Sequence, residues 1–240
     1  MIKVGCCGTA GLSLMEYSKT FNLIEIQSSF YNLPKIETAE RWRETVPEDF
    51  EFTMKAFQGV THPASSPTWR RSRRQIMEGM EDDVGLLRPS KFVKESWSQS
   101  VMIAEVLRAK IIVVQLPPVF EYNAVNIARI SQFLEDNNSE LKVSIEFRHN
   151  SWLSKMQEVM NIFNKYGAIL VTDPLKMEIP PQKIQYHRLH GSDGFTNYTH
   201  EYTEEELLTL RDKVKAYDSY VLFNNISMRH DAIRFKQLVV

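Results

Sequence analysis

Eight short apolar runs, separated by stretches with helical spacing, constrain this chain more than any other feature. The runs are Ile2 to Cys7, Leu23 to Ser28, Phe52 to Ala56, Ile111 to Leu116, Val143 to Phe147, Ala168 to Thr172, Ile184 to Leu189 and Tyr220 to Phe223. Most are too short for a helix and rich in Val, Ile and Phe, which fit a pleated, buried strand. Helical patterns lie between them at Thr38 to Val46, Glu95 to Ala109, Ala124 to Asn137, Ser154 to Tyr166, Thr203 to Tyr217 and Ser227 to Leu238. Local signals support these helices: Thr203 and Glu206 have capping-box spacing, Asn123 is a helix-capping residue, and Gly167 suits a helix stop.

Strands alternating with helices predict a parallel sheet, and eight of them predict closure into a (β/α)8 TIM barrel formed by residues 1–240 as a single domain. An open doubly wound sheet is the alternative, but the Gly-x-Gly-x-x-Gly fingerprint after the first strand is missing. Two connections depart from a regular barrel. Residues 58–94 form an unusually long loop after strand three, and Asp173 to Lys183 carries Pro174, Pro180 and Pro181, so no full helix follows strand six.

Composition narrows the setting. With 43% hydrophobic and 25% charged residues the chain can bury a full core, and no apolar stretch approaches the roughly 20 residues of a membrane span. No export signal is visible at the N-terminus, and the two cysteines, Cys6 and Cys7, are adjacent, where an unstrained disulfide rarely forms. A cytoplasmic protein with no membrane partner is expected. A net charge of −1 gives no global attraction to nucleic acid, so any such contact must come from a local patch.

Strand side chains alternate between faces, so setting the apolar phase against the outer helices turns the other phase into the barrel. That places Glu25 and Gln27 inward on strand two, Lys55 on strand three, Gln115 on strand four, Ser144, Glu146 and Arg148 on strand five, and Tyr186, Arg188 and His190 on strand seven. Asp173 follows strand six, and Asn224 and Asn225 follow strand eight. Strand ends form the active face of such barrels, so these residues are the candidate site. Glu146, His190 and Lys55 are the expected catalytic groups; Glu25, Gln27, Gln115, Arg148, His149, Trp152, Arg188, Asn224 and Asn225 are the expected substrate contacts. Cations mixed with carboxylates suit an anionic or phosphate-bearing small molecule, with Arg148 or Arg188 as a bidentate clamp and Glu146 or His190 as general acid or base.

Other chemistries fit less well. A glycosidase needs two suitably spaced carboxyl groups, for which Glu25 and Glu146 are available. A single divalent metal would draw on Glu25, Glu146, Asp173, His149 and His190, against competition from neighbouring cations; no metal ligand set and no cofactor is specified. Binding without turnover is a separate class. Trp69 is followed by Arg70, Arg71, Arg73 and Arg74 in the long loop, an aromatic and basic cluster suited to nucleic-acid phosphates, though Glu78, Glu81, Asp82 and Asp83 answer it downstream.

The segments Glu25 to Pro34, Lys55, Val60 to Pro63, Gln115 to Pro118, Glu146 to Trp152 (Glu-Phe-Arg-His-Asn-Ser-Trp), Arg188 to Gly191 (Arg-Leu-His-Gly) and Phe223 to Asn225 resemble the YecE-like family, domain of unknown function 72. Their order is kept over nearly the whole chain. The resemblance implies a TIM barrel and implies no particular reaction. Two features depart from the common family form: the first βα segment, Gly8 to Phe21, is short and lacks the Gly-Trp and Phe-Tyr-Pro elements, and Gln27 stands where Asn is more common.

Overall fold

The computed structural model describes residues 1–137, 139–191 and 197–239. Its elements follow the order β1 (Ile2–Cys7), α1 (Leu14–Ser18), β2 (Leu23–Ile26), α2 (Ile36–Thr45), β3 (Glu51–Lys55), α3 (Lys91–Val106), β4 (Ile111–Gln115) and α4 (Ala124–Asp136). They continue with β5 (Lys142–Glu146), α5 (Met156–Tyr166), β6 (Ile169–Thr172), β7 (Gln185–Leu189), α6 (Glu204–Val214), β8 (Ser219–Phe223) and α7 (Met228–Val239). The strands form a closed barrel in chain order, β1 to β8, as their alternation with helices requires. None of the helices is long and apolar enough to cross a membrane, among the described residues.

The helix ends are set by the residues that the sequence offers. Thr203 and Glu206 close a capping box on α6, Asn123 accepts from the Asn126 N–H to cap α4, and Gly167 ends α5 in the left-handed conformation. Sequence periodicity passes over α1, a helix of 5 residues capped by a Ser13–Glu16 box inside the short first βα segment. It also places the start of α3 too late: Ser90 caps that helix at Lys91, because its hydroxyl accepts from the Val93 N–H. Residues 173–184, between β6 and β7, carry no helix.

The fold resolves into two compact units, one comprising Met1–Ile26, Glu44–Phe52 and Ile169–Val240 and the other Gln27–Arg43 and Thr53–Ala168. In the first, β1 pairs in parallel with both β2 and β8, and β8 with β7. Register puts Lys3 beside Tyr220, Gly5 beside Leu222, and Cys7 beside Glu25, so these side chains share a face with Tyr186 and Arg188. Near the N-terminal ends of these strands Lys3 and Tyr220 both engage the Glu51 carboxylate, a polar layer that the sequence alone does not announce. Cys6 lies on the opposite face; it is buried, and desolvation pushes its thiol up to about 12, which keeps it un-ionised.

In the second unit β4 pairs with β3 and β5, and Lys55, Val113 and Ser144 fall level. One step of alternation further along, Gln115 and Glu146 fall level on that same face. Met54, Ile112, Val114, Val143 and Ile145 take the opposite face, which is the helix-covered one: Phe147, in the same phase, stacks on Phe163 of α5 at 6.2 Å. The long segment after β3 folds as short 3₁₀ turns at Gln58–Val60, Pro67–Arg71 and Glu81–Asp83, then returns to its own start. Gly85 N–H donates to Gly59 O, Leu86 N–H to Thr61 O and Leu87 N–H to Val60 O. Position 85 must be glycine: its φ is +70°, and a Cβ there would sit 2.2 Å from the His62 carbonyl oxygen.

Candidate functional site

Polar side chains gather at the C-terminal ends of strands in each unit. In the second unit Lys55, Gln115 and Glu146 are the last residues of β3, β4 and β5 and share one face. Arg148, two residues beyond Glu146, keeps the phase, and its Nη2 lies 2.7 Å from Glu146 Oε1. Lys55, Glu146 and Arg148 are all buried, so their charges act through a medium of low effective dielectric.

Strand alternation does not reach the loop groups that complete this cluster. The Lys55 ammonium lies 3.7 Å over the Phe30 ring, and its own carbonyl accepts from Ser29 Oγ at 2.6 Å. Phe30 in turn meets the His62 imidazole edge-on at 4.8 Å. His62 Nδ1 lies 2.8 Å from Thr61 Oγ1, and burial, reinforced by the Lys55 and Arg148 charges, pushes its pKa down to about 3. The imidazole is therefore neutral beside the Lys55 and Arg148 cations. Gln58 is fully buried on the same segment, and neither of its amide atoms has a hydrogen-bond partner among the described residues. The sequence cues to this part were the segments Glu25 to Pro34 and Val60 to Pro63, since proximity of Phe30 and His62 is made by the loops and not by strand phase.

The remaining expected contacts of this unit divide. Gln115 is half-buried beside Glu146 in register. His149 caps the turn Asn150–Lys155, its Nδ1 2.7 Å from Ser151 Oγ. Trp152 is fully buried between Phe147 and Phe120 and donates its indole N–H to Phe120 O at 2.7 Å, so its ring belongs to aromatic packing. Gln27 lines a surface groove with Tyr31, Lys35, Trp42, Arg71 and Arg73. The four arginines of the long loop go separate ways: Arg74 lies 4.0 Å over Phe92 with Glu95 beside it, Arg71 stacks 3.9 Å over Tyr31, and Arg70 and Arg73 are exposed.

In the first unit Glu25 is fully buried and accepts from Arg188 Nη2 at 3.0 Å and from Tyr186 Oη at 2.9 Å. His190 is buried, and Asn224 Nδ2 lies 3.0 Å from its Nδ1. An amide nitrogen only donates, so this contact is a hydrogen bond in the tautomer that leaves Nδ1 unprotonated. The Arg-Leu-His-Gly run ends in glycine for a physical reason: Gly191 has φ +84°, and a Cβ would lie 2.1 Å from the Asn197 carbonyl. Asn225 is buried with its Nδ2 donating to His200 O and to Asp231 Oδ2, which ties the segment around His200 to α7. Asp173 accepts from the Leu175 N–H and lies 3.8 Å from the Lys176 ammonium. Among the described residues, no three His, Cys, Asp or Glu side chains come together as a metal ion would require.

Comparison with known proteins agrees with this architecture. The chain is 24% identical over 256 residues to the UPF0759 protein YunF of Bacillus subtilis, a match covering 94% of this chain and 85% of that protein. The crystal structure of a DUF72 family protein from Enterococcus faecalis superposes with a TM-score of 0.75 at 21% identity, covering 99% of this chain and 97% of that one. A DUF72 family protein from Thermotoga maritima gives a TM-score of 0.70 at 22% identity, covering 99% and 98%. At these identities the structures establish the shared fold. The family described as protein of unknown function DUF72 matches residues 7–239, and the chain belongs to that family.

Proposed function

We propose that the cluster at the ends of β3 and β5 is the reacting centre of an enzyme that acts on an anionic, phosphate-bearing small molecule or nucleotide. The observation that supports this reading is a pair of buried cations at strand ends of one unit: Lys55 and Arg148 both bear on a neutral His62, and Glu146 lies 2.7 Å from Arg148. Buried cations attract an anionic group strongly because the surrounding dielectric is low, and a phosphate or carboxylate is such a group. The guanidinium offers planar, directional donors, and the ammonium over Phe30 is a point charge that follows a displaced anion. Glu146 lies 2.7 Å from the Arg148 guanidinium, which orients the carboxylate for a role as general base. Gln58 adds an unengaged amide for a ligand polar group.

The test is calorimetric titration with inorganic phosphate and pyrophosphate. Lys55→Met is expected to weaken binding at least tenfold with the fold retained by circular dichroism, and Arg148→Lys to weaken it less. A screen of phosphate esters then identifies turnover, which Glu146→Gln should abolish while the anion still binds. Equal anion affinity in the wild type and Lys55→Met would remove the reading.

A further inference from the structure

The groove between the β2–α2 connection and the basic loop has its own chemistry, separate from the buried cluster. It encloses about 730 Å³ and is lined by Lys35, Arg71 and Arg73, with Tyr31 and Trp42 as its aromatic surfaces and no carboxylate in its wall. In a chain of net charge −1, three cations on one groove are a strong local departure. Lys35 and Arg73 are exposed, and neither cation has a side-chain partner among the described residues.

This groove is built and held. Asn32 donates from Nδ2 to Arg71 O at 3.0 Å and accepts the Arg73 N–H on Oδ1 at 2.7 Å, so one amide fastens the basic loop to the β2–α2 connection. Arg71 Cζ lies 3.9 Å from the centroid of the Tyr31 ring and Nη1 donates to Tyr31 Oη at 2.8 Å, which holds the guanidinium against that side chain. Tyr31 rests edge-on against Phe30 at 4.9 Å, so the ordering continues into the protein. A preordered guanidinium plane, a half-buried indole and two unpaired cations match a base and its flanking phosphates. Duplex grooves are read instead by an inserted helix or ribbon, and here the lining is concave.

We propose that this groove seats a segment of single-stranded nucleic acid, with Arg71 and Trp42 offering stacking surfaces for bases and Lys35 and Arg73 contacting phosphates. The inference does not rest on the buried cluster, since none of its residues is Lys55, Glu146 or Arg148. Fluorescence anisotropy with fluorescein-labelled dT10 and rU10, at two or more salt concentrations, tests it on the full chain. Binding should fall with salt, and Lys35→Ala and Arg73→Ala should each reduce the slope of log affinity against log salt by roughly 0.7. The double variant should lose at least tenfold in affinity, Arg71→Lys should weaken binding through loss of the planar stack, and Trp42→Phe should remove most of the intrinsic tryptophan quench. Both cations are exposed, so folding is unaffected by the substitutions. Three results overturn the proposal: equal affinity in the double variant, a mononucleotide binding as tightly as the decamers, or duplex DNA binding as tightly as the single strands. The first would leave the phosphate titration of the buried cluster untouched, which keeps the two readings separately testable.

Discussion

Glu146 and Arg148 stand two residues apart at the end of β5, and the 2.7 Å contact between Arg148 Nη2 and Glu146 Oε1 joins two buried, oppositely charged groups on one strand end. Alternation puts residues i and i+2 on the same face, and the length of the arginine stem lets the guanidinium fold back on its neighbour. A pair made this locally needs no distant element to bring its members together, yet burial makes each member depend on the other.

Removal of one partner should therefore cost more than removal of both. Arg148→Met leaves the Glu146 carboxylate buried without that counter-charge and is expected to destabilise by about 3–5 kcal/mol. The double change Glu146→Gln with Arg148→Met should cost clearly less than the two single changes added together. Urea unfolding of the four proteins measures the coupling; strictly additive losses would show that the contact contributes nothing.

The Glu25 network of the first unit makes a parallel case. Its carboxylate receives Arg188 and Tyr186, and all three side chains are essentially excluded from water. Tyr186→Phe removes one hydrogen bond to a charged group with almost no change of shape, a loss of about 1.5–3 kcal/mol. Glu25→Ala removes the carboxylate 3.0 Å from the buried Arg188 guanidinium and should cost about 3–5 kcal/mol. Thermal and urea unfolding should rank the two in that order, and a neutral Tyr186→Phe would mean that the phenol is not an obligatory donor.

Acid sensitivity should trace to two buried histidines. Burial pushes His187 down to about 3, with Thr172 Oγ1 at 2.8 Å from Nδ1 and, among the described residues, no partner at Nε2, and His62 is likewise held down to about 3 by burial and by Lys55 and Arg148. In the unfolded chain each regains an ordinary value near 6.5, so between that pH and about 3 the unfolded state binds more protons. Stability therefore rises with pH across this window and is lost as pH falls from about 6.5 toward 3. Between pH 7 and pH 5 each histidine should account for about 2 kcal/mol of the loss. Urea midpoints at those two values should converge in His187→Gln relative to the wild type; an unchanged pH dependence would show that His187 is already protonated in the folded protein.

Much of the barrel was legible because it follows from periodicity. A period of two fixes which side chains of a strand share a face, and the registers of β3 with β4 and β4 with β5 place Lys55, Gln115 and Glu146 on the face that alternation assigns. Capping residues were equally readable, since a cap is a contact between residues three apart. The short helix α1 was missed because 5 residues give no measurable periodicity, and α3 began early because its start is set by Ser90 and not by its apolar stripe.

What the sequence determined by itself was the barrel, the faces of its strands and the stock of charged groups at their ends. Only tertiary structure decided which of those groups act on one another. Phe30 and His62 reach Lys55 because the connections after β2 and β3 fold against each other, Trp152 enters aromatic packing although it follows a strand end rich in polar residues, and Arg71 and Arg74 of one basic run are drawn to different rings. The physical reason is range: backbone alternation and capping are set by neighbours along the chain, whereas charge pairing, burial and ring stacking depend on side chains that loops bring from elsewhere.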